Sequence, residues 1–329
     1  MSFSKTVVIP VTPDAAFDLI TQPERLRRWQ AIAARVDLRV GGEFRWTVVP
    51  GKSATGTFTE IEPGKRIVFT WDWTEPGVPV VPGGSTIAIT MEEADGGTAV
   101  TLRHDGLAPE DEAGHAEGWT HYLGRLAAIA TTGDAGADPW TLGELDRLTS
   151  ADAALAIAQR VLAGLTEKDM GRQTPCEDFT VAQLVDHLEG SIGSIATALG
   201  VAAVEPSSAA PEVRIAELSQ RTLEAFAARG LEGTLDMGFA EVPATIMANI
   251  LSIEFLVHAW DFSAAAGRTL EVDPKLSGYV LELARETISP QVRQNGSFAD
   301  ETVVEESAGS LERLIAFTGR TVDQVPTGA

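Results

Sequence analysis

Residues 242–261 read VPATIMANILSIEFLVHAWD, and they decide the architecture of the second half of the chain. Pro243 stands where a first-turn proline is tolerated, and the residues after it are apolar on almost every face. A helix that is apolar all round is a buried helix. Between Val242 and Trp260 the only ionisable residues are Glu254 and His258. Four positions apart, they leave the same face of a helix one turn from each other. A lone carboxylate on a buried helix has to be neutralised, paired or bound to a metal. Two readings stand side by side: a buried Glu254–His258 ion pair that only holds helices together, or two ligands of a divalent metal that take a third from another helix. Asp261, a turn further on, extends the polar stripe.

The chain has 329 residues, enough for two domains with separate cores. Its hydrophobic share of 44% and charged share of 22% are those of a soluble globular protein. The net charge of −22 argues against nucleic acid, which needs a basic face, and against an anionic membrane surface. It reads as a solvated acidic surface. The single cysteine, Cys176, excludes an intramolecular disulfide, and nothing calls for an oxidising compartment. The start, MSFSKTVVIPV, lacks the basic n-region and long apolar core of a signal peptide, and no run is long enough to span a bilayer. A cytoplasmic location is the expectation.

The first half begins with an alternating strand, residues 3–10. Thr12 then caps a helix with Pro13 at its first position, and Pro23 opens a second short helix through Trp29. Strand-like segments come next at 36–49, 57–61, 66–74, 85–92 and 98–104. Turn signals punctuate them at Gly41-Gly42, Pro63-Gly64, Pro82-Gly83-Gly84 and Asp95-Gly96-Gly97. A long helix over about 110–129 carries Trp119, Tyr122, Leu123 and Leu126 at helical spacing. A curved antiparallel sheet wrapped on one long helix leaves a cavity for a small apolar ligand. Phe69, Trp71, Trp73, Leu102, His104, Trp119 and Tyr122 are the candidate pocket residues, with core packing as the competing role for each aromatic. His104, His115 and His121 are read as surface or rim histidines that could serve a site.

The stretches PDAAFDLITQPERLRRW, DLRVGGEF, GTFTEIEPGKRIVFTWDW, PGGSTIAIT, GGTAVTLRHDGL and GWTHYLGRL resemble the START-like helix-grip (SRPBCC) superfamily. The branch they resemble is the one named after activators of the heat-shock ATPase. The resemblance covers nearly all of residues 1–130. It implies the fold and a small-molecule cavity, and it carries no universal catalytic motif.

Residues 131–139, TTGDAGADP, read as part of a linker, and beyond them the chain turns helical. Ser150 is expected to cap a helix with apolar Ala154, Ile157, Ala158, Val161, Leu162 and Leu165. Thr180 caps the next, with Gln183 in the capping-box position and a stripe of Leu184, Leu188, Ile192, Ile195 and Leu199 that ends at Gly200. His187 borders that stripe. A third helix runs from 211 to 228, residues 233–241 form an extended link, and helices at 274–288 and near 311–317 complete the chain. The candidate metal set is therefore His187, Glu254 and His258. Two nitrogens and one carboxylate oxygen suit zinc, with nickel, iron or manganese as options, and three protein ligands leave a position for water or substrate.

TPCEDFTVAQLVDHL and EFLVHAWDFSAAAG resemble the DinB-like four-helix metalloproteins, in their mycothiol-dependent maleylpyruvate isomerase branch. The resemblance implies that His187, Glu254 and His258 hold the metal and that mycothiol or a similar thiol is a cofactor. Trp260 and Asp261 match the H-x-W-D continuation, where Asp261 would orient a ligand histidine or serve as a helix-end ion pair. Cys176 belongs to the T-P-C motif; a small buried loop residue is one role, a thiol near the metal the other. In the isomerase the partner domain comes after the helices, whereas here it precedes them. No clear basic cluster awaits a thiol cofactor's carboxylates, though Arg160, Arg172 and Arg221 are candidates.

The expectation is an α+β helix-grip domain at residues 1–132, a linker at 133–147 and an all-α four-helix bundle at 148–329. The leading function is a metal-dependent, thiol-dependent transferase or isomerase acting on a small hydrophobic or electrophilic molecule, with a homodimer as an option. A metal-dependent hydrolase, a non-enzymatic small-molecule or lipid-binding protein with a scaffold or dimerisation bundle, and a co-chaperone are the alternatives.

Overall fold

A computed structural model describes residues 2–49, 51–74, 84–136, 138, 143–176, 179–202, 209–294, 296 and 298–322. The chain divides into two compact units, Met1–Thr141 and Leu142–Ala329.

The first unit runs β1 Ser2–Ile9, α1 Pro13–Thr21, α2 Pro23–Leu26, β2 Ala33–Val36, β3 Glu43–Val49, β4 Lys52–Glu62, β5 Arg66–Thr74, β6 Ser85–Ala94, β7 Gly97–Asp105 and α3 Glu112–Thr132. The strands form one antiparallel sheet of seven in the order β1-β7-β6-β5-β4-β3-β2. Thr12 caps α1, accepting from the Ala15 amide. The stretch 36–49 is two strands rather than one. Residues 37–42 form the connection between them, with Gly41 at φ 80, a conformation that a side chain resists, and Gly41 and Gly42 hydrogen-bonded to the Phe58 backbone of β4. The Pro82-Gly83 part of the third turn signal lies outside the described residues.

Register shifts between Thr47 and Val49 and between Phe58 and Glu60 mark bulges, which bend the sheet. Gly56 on β4 is required by packing. A Cβ there would lie 1.8 Å from the Thr70 carbonyl oxygen and 2.7 Å from the Phe44 ring. One core joins Phe44, Trp46, Phe58, Ile67, Phe69 and Trp71 from the sheet to Trp119, Tyr122, Leu123, Leu126 and Ile129 from α3. Each buried aromatic removes about 150–250 Å² from water, worth roughly 4–6 kcal/mol before ordering entropy.

The second unit is helical: α4 Arg147–Ala163, α5 Val181–Ala198, α6 Pro211–Arg229, α7 Ala244–Ala265, α8 Pro274–Thr287, α9 Pro290–Gln294 and α10 Ser310–Phe317. Between α6 and α7 lie β8 Thr234–Asp236 and β9 Glu241–Pro243, an antiparallel hairpin where an extended link was expected. Pro243 is consequently the N-cap of α7, not part of its first turn. The α4 helix begins a turn before Ser150, because Asp146 and Thr149 form a capping box. Ser150 instead lies inside the helix and hydrogen-bonds Ser252 of α7 at 2.9 Å. Thr180 and Gln183 make the capping box expected for α5, and Gly230, at φ 81, ends α6. Helix α7 packs against α4, α5 and α8, α6 packs against α4 and α5, and α10 packs against α8. Among the described residues no helix is long and apolar enough to cross a membrane.

Candidate metal centre

Leu184 and Leu188 anchor α5 in the core of the second unit, and the turn between them carries His187 at the rim. Helix α7 is buried along nearly its whole length, so Glu254 and His258 are held by the packing of their neighbours Ile253, Phe255, Leu256 and Val257. One ligand atom from each of His187, Glu254 and His258 falls in a cluster whose members all lie within 4.8 Å of one another. Glu254 Oε2 is 3.7 Å from His187 Nε2 and 3.5 Å from His258 Nε2. These distances exceed good hydrogen-bond lengths, and buried Oε2 has no hydrogen-bond partner among the described residues. Two donors each bound to a tetrahedral zinc at about 2 Å would stand roughly 3.3 Å apart. The donor set, its spacing and the orphaned carboxylate oxygen therefore fit a divalent ion. His258 is buried and the His187 side chain is 38% exposed, so access to the cluster is from the His187 side.

The surrounding electrostatics are strong. Burial pushes the Glu254 carboxyl up, but His258, His187 and the Ser191 hydroxyl outweigh it and hold its pKa below the ordinary value. Burial alone would lower His258; the hydrogen bond to Asp261 and the facing Glu254 instead raise it to about 9. Desolvation lowers His187, with Glu254 opposing. The His258 Nδ1–H donates to Asp261 Oδ2 at 2.9 Å, which leaves Nε2 directed at the cluster. Asp261 is fully buried. Despite desolvation its carboxyl is held low, first by Arg320 and then by His258.

Arg320 is the residue that sequence reasoning missed. It donates from Nε to Asp261 Oδ1 at 3.0 Å and Oδ2 at 3.2 Å, and from Nη2 to Oδ2 at 2.8 Å. The arginines singled out from sequence lie elsewhere. Arg160 is half-buried in the last turn of α4. Arg172 is exposed, pairs with Asp169 and donates to the Ala265 carbonyl. Arg221 pairs with Glu217 one turn away. Cys176 is half-buried and interacts electrostatically with Arg320. Phe179 stacks on the His187 ring at 5.0 Å.

The first unit holds a separate feature, a cavity of about 350 Å³. Trp71, Trp73, Trp119 and Tyr122 line it, together with His115, Gln30 and Lys52. Phe69, Leu102 and His104 do not; all three are fully buried in the wall behind. His104 Nδ1 accepts from the Trp119 indole at 3.1 Å and its Nε2 meets the Ser85 hydroxyl at 2.8 Å. Burial, then His115, lowers the His104 pKa to about 3, so it stays neutral. His115 Nε2 accepts from the Trp73 indole at 3.2 Å, and Nδ1 meets the Asp111 carbonyl at 3.0 Å. His121 pairs with Asp138 at 2.9 Å.

Family models match both units. Residues 10–131 match the Activator of Hsp90 ATPase homolog 1-like protein, and residues 151–263 match the Mycothiol maleylpyruvate isomerase N-terminal domain. Each half of the chain thus matches a different family. The second match contains all three clustered residues and Asp261, and it ends well before Arg320. Two curated relatives, the uncharacterized proteins MT0763 and Rv0738 of Mycobacterium tuberculosis, are each 30% identical over 182 residues, covering 54% of this chain and 100% of the relative. Among solved structures, the AHSA1-like protein RHE_CH02687 of Rhizobium etli is 37% identical over 44% of this chain and 91% of its own, with a TM-score of 0.36. DynU16, a putative protein of the dynemicin biosynthetic locus, is 23% identical over 40% of this chain and 48% of its own, with a TM-score of 0.36. The chain thus spans about half the length of that last protein.

Proposed function

We propose that the helical unit is a metal centre that activates a low-molecular-weight thiol such as mycothiol, and that the cavity of the first unit receives a small hydrophobic or electrophilic molecule for transfer or isomerisation. The observation that carries this reading is the buried Glu254 Oε2, which has no hydrogen-bond partner among the described residues and faces two imidazole Nε2 atoms. His187, Glu254 and His258 would be the ligands, with zinc the best fit to two nitrogens and one oxygen and nickel, iron or manganese as options. When bound, the ion supplies a lowered pKa for a coordinated thiol or water. Glu254 and His258 close the buried side of the site, and His187 borders the side open to solvent. Asp261 holds the His258 Nδ1–H and keeps the opposite lone pair on the cluster. Phe179 covers one face of His187 and limits its rotation. The same reading takes α4–α7 as a four-helix bundle around the site and the sheet as wrapped on α3. The shared core of each unit supports it. A cytoplasmic protein with a linker at 133–147 completes the proposal, and water in place of the thiol would make the centre hydrolytic.

The test is metal content of protein purified without a metal-binding tag, beside a Glu254→Ala, His258→Ala double variant. About one equivalent in the parent and none in the variant is expected. Metal in neither, even after incubation with zinc or nickel, would reduce the cluster to an ion pair. Given metal, a panel of electrophiles with and without thiol then separates thiol transfer from hydrolysis. One observation favours a second reading, a non-enzymatic binder in the first unit: His115, the histidine that lines the cavity, has both ring nitrogens in hydrogen bonds, as has His104 in the wall behind it, so among the described residues the cavity presents no free imidazole for acid–base work. Ligand retained through purification, with normal binding in His258→Ala, would support it.

A further inference from the structure

Each ligand of the cluster lies within the stretch 151–263 that matches the isomerase domain, yet the cluster's outer layer does not end there. Asp261 is a fully buried carboxylate with two partners. Its Oδ2 accepts from His258 Nδ1 at 2.9 Å and from Arg320 Nη2 at 2.8 Å, and Arg320 Nε spans both oxygens at 3.0 and 3.2 Å. A guanidinium that grips both oxygens of a carboxylate fixes the plane of the group as well as its charge. With that plane fixed, Oδ2 has one direction to offer His258, and the imidazole can turn neither its Nδ1–H away nor its Nε2 off the cluster. The arginine is itself held. Its Nη1 donates to the Thr318 carbonyl at 3.1 Å, and its own carbonyl accepts from the Thr302 hydroxyl at 2.6 Å. Its guanidinium is anchored at the end of α10, which packs on α8, which packs on α7. The chain of contacts from α10 to the metal cluster is therefore continuous and buried, with the Arg320 side chain only 10% exposed.

We infer that Arg320, from the segment beyond the matched domain, is a positioning residue of the metal centre: it orients Asp261, which orients His258 for the ion. The inference rests on the metal reading proposed for the helical unit. It assigns the last helical segment a part in ligation geometry in addition to packing. An outer partner of this kind is worth about 10- to 100-fold in metal affinity.

The experiment measures the dissociation constant for Zn²⁺, by competition with a chromophoric chelator, in the full chain and in Arg320→Gln and Arg320→Lys. The visible spectrum of the Co²⁺-loaded proteins reports coordination geometry alongside, and circular dichroism reports folding. Arg320→Lys keeps a cation beside Asp261 but loses the two-point grip, so it isolates orientation from charge and guards against Arg320→Gln failing to fold. The expected result is folded Arg320→Lys that binds Zn²⁺ about tenfold or more weakly, with an altered Co²⁺ spectrum. An Arg320→Lys with parental affinity and spectrum overturns the inference and leaves the metal reading intact. A parent that binds neither ion overturns the metal reading, and this inference with it.

Discussion

Loading the centre with metal should stabilise one unit of the chain and not the other. All three candidate ligands lie in Leu142–Ala329. At free Zn²⁺ 100-fold above its dissociation constant, mass action adds about 2.7 kcal/mol to the folded state. A unit of roughly 190 residues responds by about 2–4 °C per kcal/mol, so its Tm should rise by about 5–11 °C. Helical ellipticity reports on this unit. Tryptophan fluorescence reports on the other, since six of the seven tryptophans precede residue 142. The pH dependence gives a second constraint. Without metal, the His258 pKa is raised to about 9 between Asp261 and Glu254. A folded pKa above the unfolded value means that its stabilisation is fully present below about 6.5 and lost as pH rises through about 9. The same proton competes with metal for Nε2, so zinc affinity should strengthen about tenfold per pH unit up to that point. Metal-free helices should thus weaken with rising pH while the metal-induced shift grows. A shift of equal size in the Glu254→Ala, His258→Ala protein, or one seen by fluorescence as strongly as by ellipticity, would refute the reasoning.

Three further outcomes are expected. His104 is buried neutral with a pKa of about 3; a depressed histidine pKa means protons favour the unfolded chain, so the first unit should lose about 1.6 kcal/mol between pH 6.5 and pH 5. His104→Leu should flatten that dependence in fluorescence-detected urea unfolding. Asp261→Asn leaves the Arg320 guanidinium buried without its carboxylate and should cost about 3–5 kcal/mol. Adding Arg320→Gln should recover part of that in a double-mutant cycle. Gly56→Ala drives a Cβ onto the Thr70 carbonyl, so β4 and β5 must part. Unfolding midpoints should drop by the equivalent of about 3 kcal/mol or more in the first unit alone.

Periodicity made the elements legible, and long-range partners set what it could not show. An apolar helix interrupted only by Glu254 and His258 announces both its burial and its polar site, and the structure adds the distances. Arg320 carries no such signal. It is 59 positions from Asp261, and no spacing rule links an arginine after α10 to a carboxylate on α7. On β7, Leu102 and His104 both face inward, so His104 is a fully buried residue and not the surface or rim histidine expected from the sequence. Alternation cannot say whether an inward group meets empty space or another side chain, and here the Trp119 indole occupies His104. Ser150 and Asp146 are both good caps by residue type. Thr149 decides between them, because it returns a hydrogen bond only to a cap at position 146.

The grip of Arg320 on Asp261 also sets an order of events during synthesis. The ribosome delivers the chain from the N-terminus, so His187, Glu254 and His258 all emerge before the residue that fixes the His258 ring. A nascent chain can hold every ligand and still lack the arginine that orients one of them. On the proposed metal reading, tight metal uptake would belong to the chain that includes Arg320, and the ion would not be locked in while the helices that carry its candidate ligands are still finding their packing.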